Sequence, residues 1–291
     1  MENKYIHVEN LKSTEVQNIL NGECHIYPKL DGANASICLG DSGEIVARSR
    51  NNVLTPENNL RGFYGYVQGL SSTLEEFFLQ YEDIVIFGEW LVPHTLKTYK
   101  SEAWHEFYAF DFYDKKSERF LNFEALRDTH SKFGFELVPC LAKLENPPET
   151  KLEEVLNSNT YLLESGVGEG IVIKNFDFVN KYGRQAYAKL TTKHFQAKHD
   201  SSFKSNAPKD GEDLFEKKLV YKYLSDEYVL KELNKFENFE SAKVSELISI
   251  VYEEFIRDYI SEIISKYKNP SINFKTLRKH LASYVVDTVL R

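Results

Sequence analysis

Lys29, Asp31 and Gly32 stand together in the run Lys29-Leu30-Asp31-Gly32-Ala33-Asn34. A primary amine, a carboxylate two residues on and a glycine-marked turn are the parts of a covalent nucleotidyl-transfer site. A lysine nitrogen attacks an α-phosphate only when deprotonated, and nearby positive charge or a metal ion lowers its pKa and screens the phosphates. In extended backbone, residues i and i+2 point the same way, so Lys29 and Asp31 are expected to face one pocket. Chance alone supplies Lys-x-Asp-Gly in a chain of this length roughly one time in ten. The weight therefore falls on what lies downstream.

Five further segments carry groups of suitable type. Ala47-Arg48-Ser49-Arg50-Asn51 offers two guanidinium forks, which stay charged and bind ribose and phosphate bidentately. An exposed edge strand would carry the same arginines. Ile84-Val85-Ile86-Phe87-Gly88-Glu89-Trp90 reads as a buried strand ending at Gly88. Glu89 there either holds a metal-bound water or a ribose hydroxyl, or simply begins a loop. In Phe107-Tyr108-Ala109-Phe110-Asp111-Phe112-Tyr113, strict alternation puts Tyr108, Phe110 and Phe112 on one face. Most such aromatics pack cores, yet one of them could stack on adenine, a contact worth about 1–3 kcal/mol in nucleic-acid sites. Glu169-Gly170-Ile171-Val172-Ile173-Lys174 again sets a carboxylate at a strand mouth and closes with a lysine. Asp31, Glu89 and Glu169 together suit hydrated Mg²⁺, which binds through few protein oxygens. In Ala186-Tyr187-Ala188-Lys189-Leu190-Thr191-Thr192-Lys193, Lys189 would neutralise an α-phosphate as charge builds in the transition state, or stand solvated on its strand.

The elements that must position these groups follow from pattern. A short helix is expected from Ser13-Thr14-Glu15 through Leu20, capped by Ser or Thr. Strands are expected at Cys24–Tyr27, Ala35–Leu39, Ile45–Arg48, Ile84–Phe87, Phe107–Phe112, Gly170–Lys174 and Gln185–Leu190, with a hairpin turn at Asp41-Ser42-Gly43. Leu74–Tyr81, Phe123–Phe133 and the neighbourhood of Leu152–Leu156 read as helices. After about residue 205 the composition changes. Asn206-Ala207-Pro208-Lys209-Asp210-Gly211 is turn-rich, and beyond it glycine disappears. Val244, Leu247, Ile248, Val251, Phe255 and Tyr259 then recur at helical spacing. Asn269-Pro270 breaks that helix, and Ser271 is expected to open a last one running through Leu290. Residues 1–205 thus form one region and 206–291 a small all-helical domain.

Composition sets outer bounds. Hydrophobic residues make up 42% of the 291 and support a real core. Three cysteines, Cys24, Cys38 and Cys140, argue against a disulfide framework and for a reducing, cytoplasmic setting. The polar start Met1-Glu2-Asn3-Lys4-Tyr5 does not read as a signal peptide, and no apolar run suits a bilayer, so no membrane partner is expected. A net charge of −8 excludes a broadly basic surface for nucleic acid, and residues 206–291, with 14 Lys and Arg against 15 Asp and Glu, do not supply one. The most basic stretch runs from Lys181 to Lys204 and includes Arg184, Lys189, Lys193 and Lys198. His194 and His199 sit there without metal-ligand spacing.

With these segments in order, the chain resembles the covalent nucleotidyltransferase superfamily of ATP-dependent ligases and capping enzymes, and within it the phage-type RNA ligases of the nick-sealing, RNA ligase 2-like branch. Lys29 to Asn34, Phe87 to Glu89, Phe107 to Asp111, Glu169 to Lys174 and Lys189 match five motifs of the family in sequence order. The resemblance implies an α+β fold: a nucleotidyltransferase (ATP-grasp-like ligase) domain of antiparallel sheets with flanking helices, followed by the small helical domain. It implies that Lys29 is adenylylated by ATP, that AMP passes to an RNA 5′-phosphate, and that a 3′-hydroxyl displaces it. Asp31, Glu89 and Glu169 would serve Mg²⁺ or Mn²⁺ and ribose contacts, and Phe110 would stack on adenine. Arg50 or Arg48 would bind ribose or the incoming phosphate, Lys174 and Lys189 the AMP phosphate, and Asn34 the neighbourhood of the reacting 5′-phosphate.

Two positions depart from the family pattern. The last motif is usually Lys-x-Lys, whereas here it runs Lys189-Leu190-Thr191 with Lys193 two residues late. Lys193 either substitutes from a shifted register or one phosphate contact is missing. Pro28 stands where relatives often reach adenine N6, so adenine would be read through backbone carbonyls. DNA ligases and capping enzymes append an oligonucleotide-binding barrel, and neither flank here fits one. The expected partner is therefore RNA with 5′-phosphate and 3′-hydroxyl ends, nicked or splinted, bound by a monomer and gripped in part by the helical tail. The alternatives are a ligase of DNA or mixed duplexes and a catalytically idle nucleotide- or RNA-binding relative.

Overall fold

The computed structural model describes residues 4–93, 96, 98–122, 136–192, 215–233, 236, 243–267 and 270–290. The chain divides into two compact units, Met1–Leu11 with Glu15–Leu190, and Lys12–Thr14 with Thr191–Arg291. The boundary expected at 205/206, the turn-rich run beside it and the helix expected over Phe123–Phe133 lie outside the described residues.

In the first unit the described strands are β1 (Glu9–Asn10), β2 (Glu23–Lys29), β3 (Ala33–Leu39), β4 (Ile45–Ser49), β5 (Ile84–Trp90), β6 (Phe107–Asp114), β7 (Arg119–Phe120), β8 (Glu136–Leu137), β9 (Ala142–Glu145), β10 (Gly170–Lys174) and β11 (Ala188–Thr191). They form two sheets. One has the order β1-β11-β10-β2-β9, and the other β4-β3-β5-β6-β7 with β8 also on β6. β2 pairs antiparallel with β10 and β9, and β3 antiparallel with β4 and β5. The chain passes from the first sheet to the second through Leu30-Asp31-Gly32. The run Lys29 to Asn34 therefore contains the crossover itself.

Alternation decides which side chains meet between the sheets. On one side of the first sheet Ile26, Ile171, Ile173 and Ala188 pack against Leu152 and Leu156 of the helix Glu149–Ser158. The opposite side turns Tyr187 and Val172 toward Cys38, Val85 and Phe87 of the second sheet, with Tyr5 and Phe120 between them. Helices Phe63–Gly69 and Ser71–Gln80 bring Phe63 against Trp90 and Phe107, and Phe77 against Phe112. Fully burying each such side chain is worth about 1.5–3 kcal/mol.

Several element ends differ from the sequence expectation, each for a local reason. The helix expected through Leu20 is a single 3-10 turn, Thr14–Val16, because Asn18 takes a positive φ of 70° that no helix continues. β5 runs two residues past Gly88, since Glu89 and Trp90 still find partners on β3 and β6. Gln185 precedes β11 and spends its side-chain amide on the backbone of Phe120, accepting its N–H and donating to its carbonyl.

The second unit contains the helices Phe215–Tyr223, Asp226–Leu233, Val244–Lys266 and Phe274–Val289. Leu247, Val251 and Phe255 are buried in its core, as their spacing predicts, and Ile263 extends the face. The last helix starts at Phe274 rather than Ser271 because Asn273 is its cap, accepting the N–H of Thr276. Among the described residues no helix is long and apolar enough to cross a membrane.

Candidate active site

Lys29 is the last residue of β2 and lies directly opposite Gly170, the first residue of β10. The two strands therefore bring the motif lysine beside the carboxylate that precedes Gly170. Lys29 Nζ and Glu169 Oε1 form an ion pair at 2.9 Å, with the lysine side chain 22% exposed and the glutamate 4%. Glu169 is fixed from behind by Asn159, whose side-chain amide donates to the Gly170 carbonyl at 2.9 Å. A Cβ on Gly168 would stand 2.8 Å from that amide, so the approach needs a glycine.

The crossover is equally constrained. Gly32 N–H donates to Glu89 Oε1 at 2.9 Å. A Cβ on Gly32 would meet the Trp90 carbonyl oxygen at 2.6 Å and Glu89 Cγ at 2.9 Å. Glycine is required here by the close approach of the crossover to β5. Asp31 is fully buried, and its Oδ2 accepts the Leu96 N–H at 2.7 Å. Its own N–H donates to the Tyr99 hydroxyl at 2.9 Å. Burial first, and then the carboxylates of Asp31, Glu169 and Glu89, hold the Tyr99 hydroxyl well above its ordinary pKa, against the pull of that N–H.

Register places the remaining candidates. Asn34 lies opposite Glu89, and Ser36 lies opposite both Arg48 and Phe87. Asn34, Arg48 and Glu89 therefore share the face of the second sheet that turns toward the first. Arg48 Nε is buried and finds no hydrogen-bond acceptor among the described residues. Arg50 lies just past the end of β4 and is half-buried. Lys189 alternates with Tyr187 and so shares the face of Lys29. Pro28 faces the other way, opposite Ile171. Its nitrogen points to the same edge of β2 as the Ile26 carbonyl, which takes the Leu141 N–H at 2.7 Å. β9 has ended there, so the missing N–H removes no rung of the ladder. Lys193, His194 and His199 lie outside the described residues.

Phe110 corrects the alternation argument. Phe87 pairs with Asp111 and Gly88 with Ala109, which leaves Phe110 as an extra residue in β6. A bulge of this kind turns two successive side chains to one side. Phe110 and Asp111 consequently face the first sheet together, while Phe112 packs on Phe77 behind. Gly88 permits the bulge, since a Cβ there would stand 2.4 Å from the Phe107 ring.

Lys174 sits apart from Lys29, opposite His25. Its Nζ pairs with Asp111 Oδ1 at 2.8 Å and donates to the Phe110 carbonyl at 2.6 Å, with the rings of Tyr27 and Tyr187 at 4.6 and 5.2 Å. Burial pulls its ammonium down while Asp111 pulls it back up. Burial likewise pushes the Asp111 carboxyl up, opposed by Lys174 and by the Tyr5 hydroxyl. The lysine that the resemblance assigns to phosphate is thus held inside the bulge beneath Phe110. Sequence reasoning passed over Tyr5, Tyr99, Leu96 and Asn159, since each acts through one contact distant in sequence and no local pattern marks it.

The three carboxylates fit a hydrated divalent ion better than a protein cage. Hard oxygen donors suit Mg²⁺ or Mn²⁺. Among the described residues, however, the ligand oxygens of Asp31, Glu89 and Glu169 do not all lie within 4.8 Å of one another. An ion that keeps several waters and touches one or two carboxylates is compatible with that spacing.

A family model described as RNA ligase matches residues 22–191, which hold every candidate residue above except Lys193. No curated protein matches the chain. Among solved structures it is similar to an RNA ligase of Naegleria gruberi with PPi, at 21% identity and a TM-score of 0.53 over 68% of this chain and 58% of that one. A mutant of the same ligase with ATP and Mn matches at 21% identity and a TM-score of 0.53, over 67% and 58%. The chain thus spans less than two thirds of the length of that protein, and likeness at this identity carries the nucleotidyltransferase fold alone. The family itself rests on the model, which covers more than half of the 291 residues: the chain belongs to the RNA ligase family.

Proposed function

We propose that this chain is an ATP-dependent RNA ligase that joins 5′-phosphate and 3′-hydroxyl RNA ends through a lysyl-AMP intermediate, in RNA repair. The observation that carries the reading is the half-open Lys29–Glu169 pair at the crossover, a candidate amine on the inter-sheet face that is held by a carboxylate and still partly exposed. Lys29 Nζ, once deprotonated, attacks the α-phosphorus of ATP. A P–N bond forms, the α–β phosphoanhydride breaks and pyrophosphate leaves. An oxygen of the RNA 5′-phosphate then takes the adenylyl group, breaking the P–N bond and returning the amine. Finally the RNA 3′-hydroxyl attacks that 5′-phosphate and AMP departs.

Each step is a phosphoryl-type transfer in which positioning and charge neutralisation dominate. Glu169 orients Nζ, and Asn159 keeps Glu169 in place. Lys189, on the face of Lys29, balances charge on the α-phosphate. Arg48, with its unpartnered Nε, binds ribose or the incoming phosphate, and Asn34 stands beside it near the 5′-phosphate. Phe110 offers its ring to adenine, with Lys174 supporting that platform from below. Pro28 leaves adenine N6 to backbone carbonyls. Glu89 or Glu169 would hold Mg²⁺ or Mn²⁺, which would screen the phosphates when bound, while buried Asp31 shapes the turn. Residues 1–205 would form the adenylyltransferase domain and 206–291 the helical domain that grips RNA as a monomer, in the cytoplasm.

Incubation with α-labelled ATP and Mg²⁺ tests this directly. A denaturation-resistant label that survives alkali and is released by acid, as a P–N bond is, is expected on wild type, and none on Lys29→Ala. No label on wild type would leave an idle nucleotide-binding relative as the better reading. Nicked duplexes with ribose or deoxyribose at the 3′-hydroxyl side separate RNA from DNA, and equal sealing of both would remove the RNA preference.

A further inference from the structure

The mechanism above uses nothing before Pro28, yet an N-terminal strap reaches its centre. β1 pairs in parallel with β11, Asn10 lying opposite Lys189. Glu9 N–H donates to the Tyr187 carbonyl at 2.9 Å, and Leu11 N–H to the Lys189 carbonyl at 3.0 Å. Ahead of this rung Tyr5 is buried between the sheets. Its ring lies 4.9 Å from Phe110, 5.1 Å from Phe87 and 5.5 Å from Phe120. Its hydroxyl donates to Asp111 Oδ2, while Lys174 occupies Asp111 Oδ1 and the Phe110 carbonyl.

Those contacts close a circuit around one bulge. Phe110 has no ladder partner across the Phe87/Gly88 irregularity, so its orientation is not set by β5. It is set by its own carbonyl held on Lys174, by the next residue held between Lys174 and Tyr5, and by the Tyr5 ring at its flank. We propose that Tyr5 is a positioning residue for nucleotide binding, orienting the adenine-stacking Phe110 through its hydroxyl contact with Asp111. The inference rests on the nucleotide site proposed above and assigns a new residue to it. The strap thereby links the base-stacking ring to the strand that carries Lys189, so one segment steadies both ends of the nucleotide.

Tyr5→Phe isolates the hydroxyl, because the ring contacts survive. The apparent KM for ATP in Lys29 labelling is expected to rise about tenfold, the weight of one lost hydrogen bond to a charged group, with the rate at saturating ATP within about twofold. Pyrophosphate inhibition should be unchanged, because pyrophosphate has no base to stack. Asp111→Asn should raise the KM at least as far, and Tyr5→Phe added to it should raise it no further. Should Asp111→Asn fail to fold, Phe110→Leu takes its place in the cycle with the same expectation. An unchanged KM in Tyr5→Phe, equal weakening of ATP and pyrophosphate, or fully multiplicative effects in the cycle would each overturn the proposal. Calorimetric titration of ATP and pyrophosphate into wild type and Tyr5→Phe reads the same contrast without turnover. A wild type that binds ATP but never labels would therefore sink the ligase reading while still deciding the role of Tyr5.

Discussion

Two lysine–carboxylate pairs stand on the same inter-sheet face at opposite ends of β10, and they differ in almost everything but chemistry. Lys29–Glu169 is a single contact at 2.9 Å with the lysine side chain 22% exposed. Lys174–Asp111 is closed, with both side chains at 2% exposure or less, a carbonyl in the lysine's first sphere and rings on two sides. An amine that must accept a phosphorus has to be reachable and has to exchange its carboxylate for a substrate. One that is saturated by a carboxylate, a carbonyl and aromatic faces can only hold structure in place. On the mechanism proposed above, identical residue types would divide into a reagent and a scaffold according to burial.

The largest expected effect breaks the pairs apart by function. Lys29→Ala should abolish nucleotide labelling altogether while costing about 1–2 kcal/mol in urea unfolding, the price of one partly solvated contact. Lys174→Met should do the reverse in stability, losing about 3–5 kcal/mol because Asp111 is left as an uncompensated buried charge. Lys174→Met combined with Asp111→Leu should recover most of that loss, since an apolar pair of similar volume carries no desolvation penalty. If the double variant were as unstable as the single, the pair would not be a closed unit. Next comes Glu169→Gln, which keeps shape and removes charge. Labelling at saturating ATP should fall about 10–100-fold, equivalent to about 1.4–2.7 kcal/mol, with the urea midpoint moved little.

The placement of the open pair is easier to read from sequence than that of the closed pair. Lys29, Glu89 and Glu169 sit at or beside strand ends, with Gly32, Gly88 and Gly170 close by in sequence to mark where a side chain is presented. Alternation failed at Phe110 because a bulge is decided by the partner strand: Gly88 gives way to the Phe107 ring, and nothing within Phe107 to Tyr113 announces it. The resemblance placed Lys174 with phosphate, and one strand by itself does not show that its last side chain runs under Phe110 to Asp111. Helical spacing in the second unit was legible because amphipathic periodicity is local, as Leu247, Val251 and Phe255 confirm. Asn273 as a cap was legible in principle, but Ser271 offered a competing start two residues earlier.

The smallest effect is also the one that separates the pairs most cleanly, because each has its own buried tyrosine. Tyr99 stands over the open pair and Tyr5 over the closed one, and both hydroxyls are held well above the ordinary 10.0, burial being the main cause in each. A group whose folded pKa is raised contributes stability that is fully present below its unfolded value and lost as pH rises. Above about pH 10 the unfolded chain releases these protons and the folded chain keeps them. Stability must therefore fall by about 1.4 kcal/mol per pH unit for each such tyrosine. Tyr99→Phe and Tyr5→Phe should each make the alkaline limb of the urea midpoint shallower by one proton. The carboxylates then assign the tyrosines. Asp111 follows burial as the next cause for Tyr5, whereas Asp31 and Glu169 act on Tyr99. Removing one negative neighbour lets the folded tyrosine ionise more easily, so with the onset fixed at the unfolded value Glu169→Gln should lower the pH at which the Tyr99 loss levels off and leave that of Tyr5 alone. Asp111→Asn should do the opposite. Levelling-off points that moved together under either substitution would mean that the two pairs share one electrostatic environment, and the proposed division into reagent and scaffold would fail.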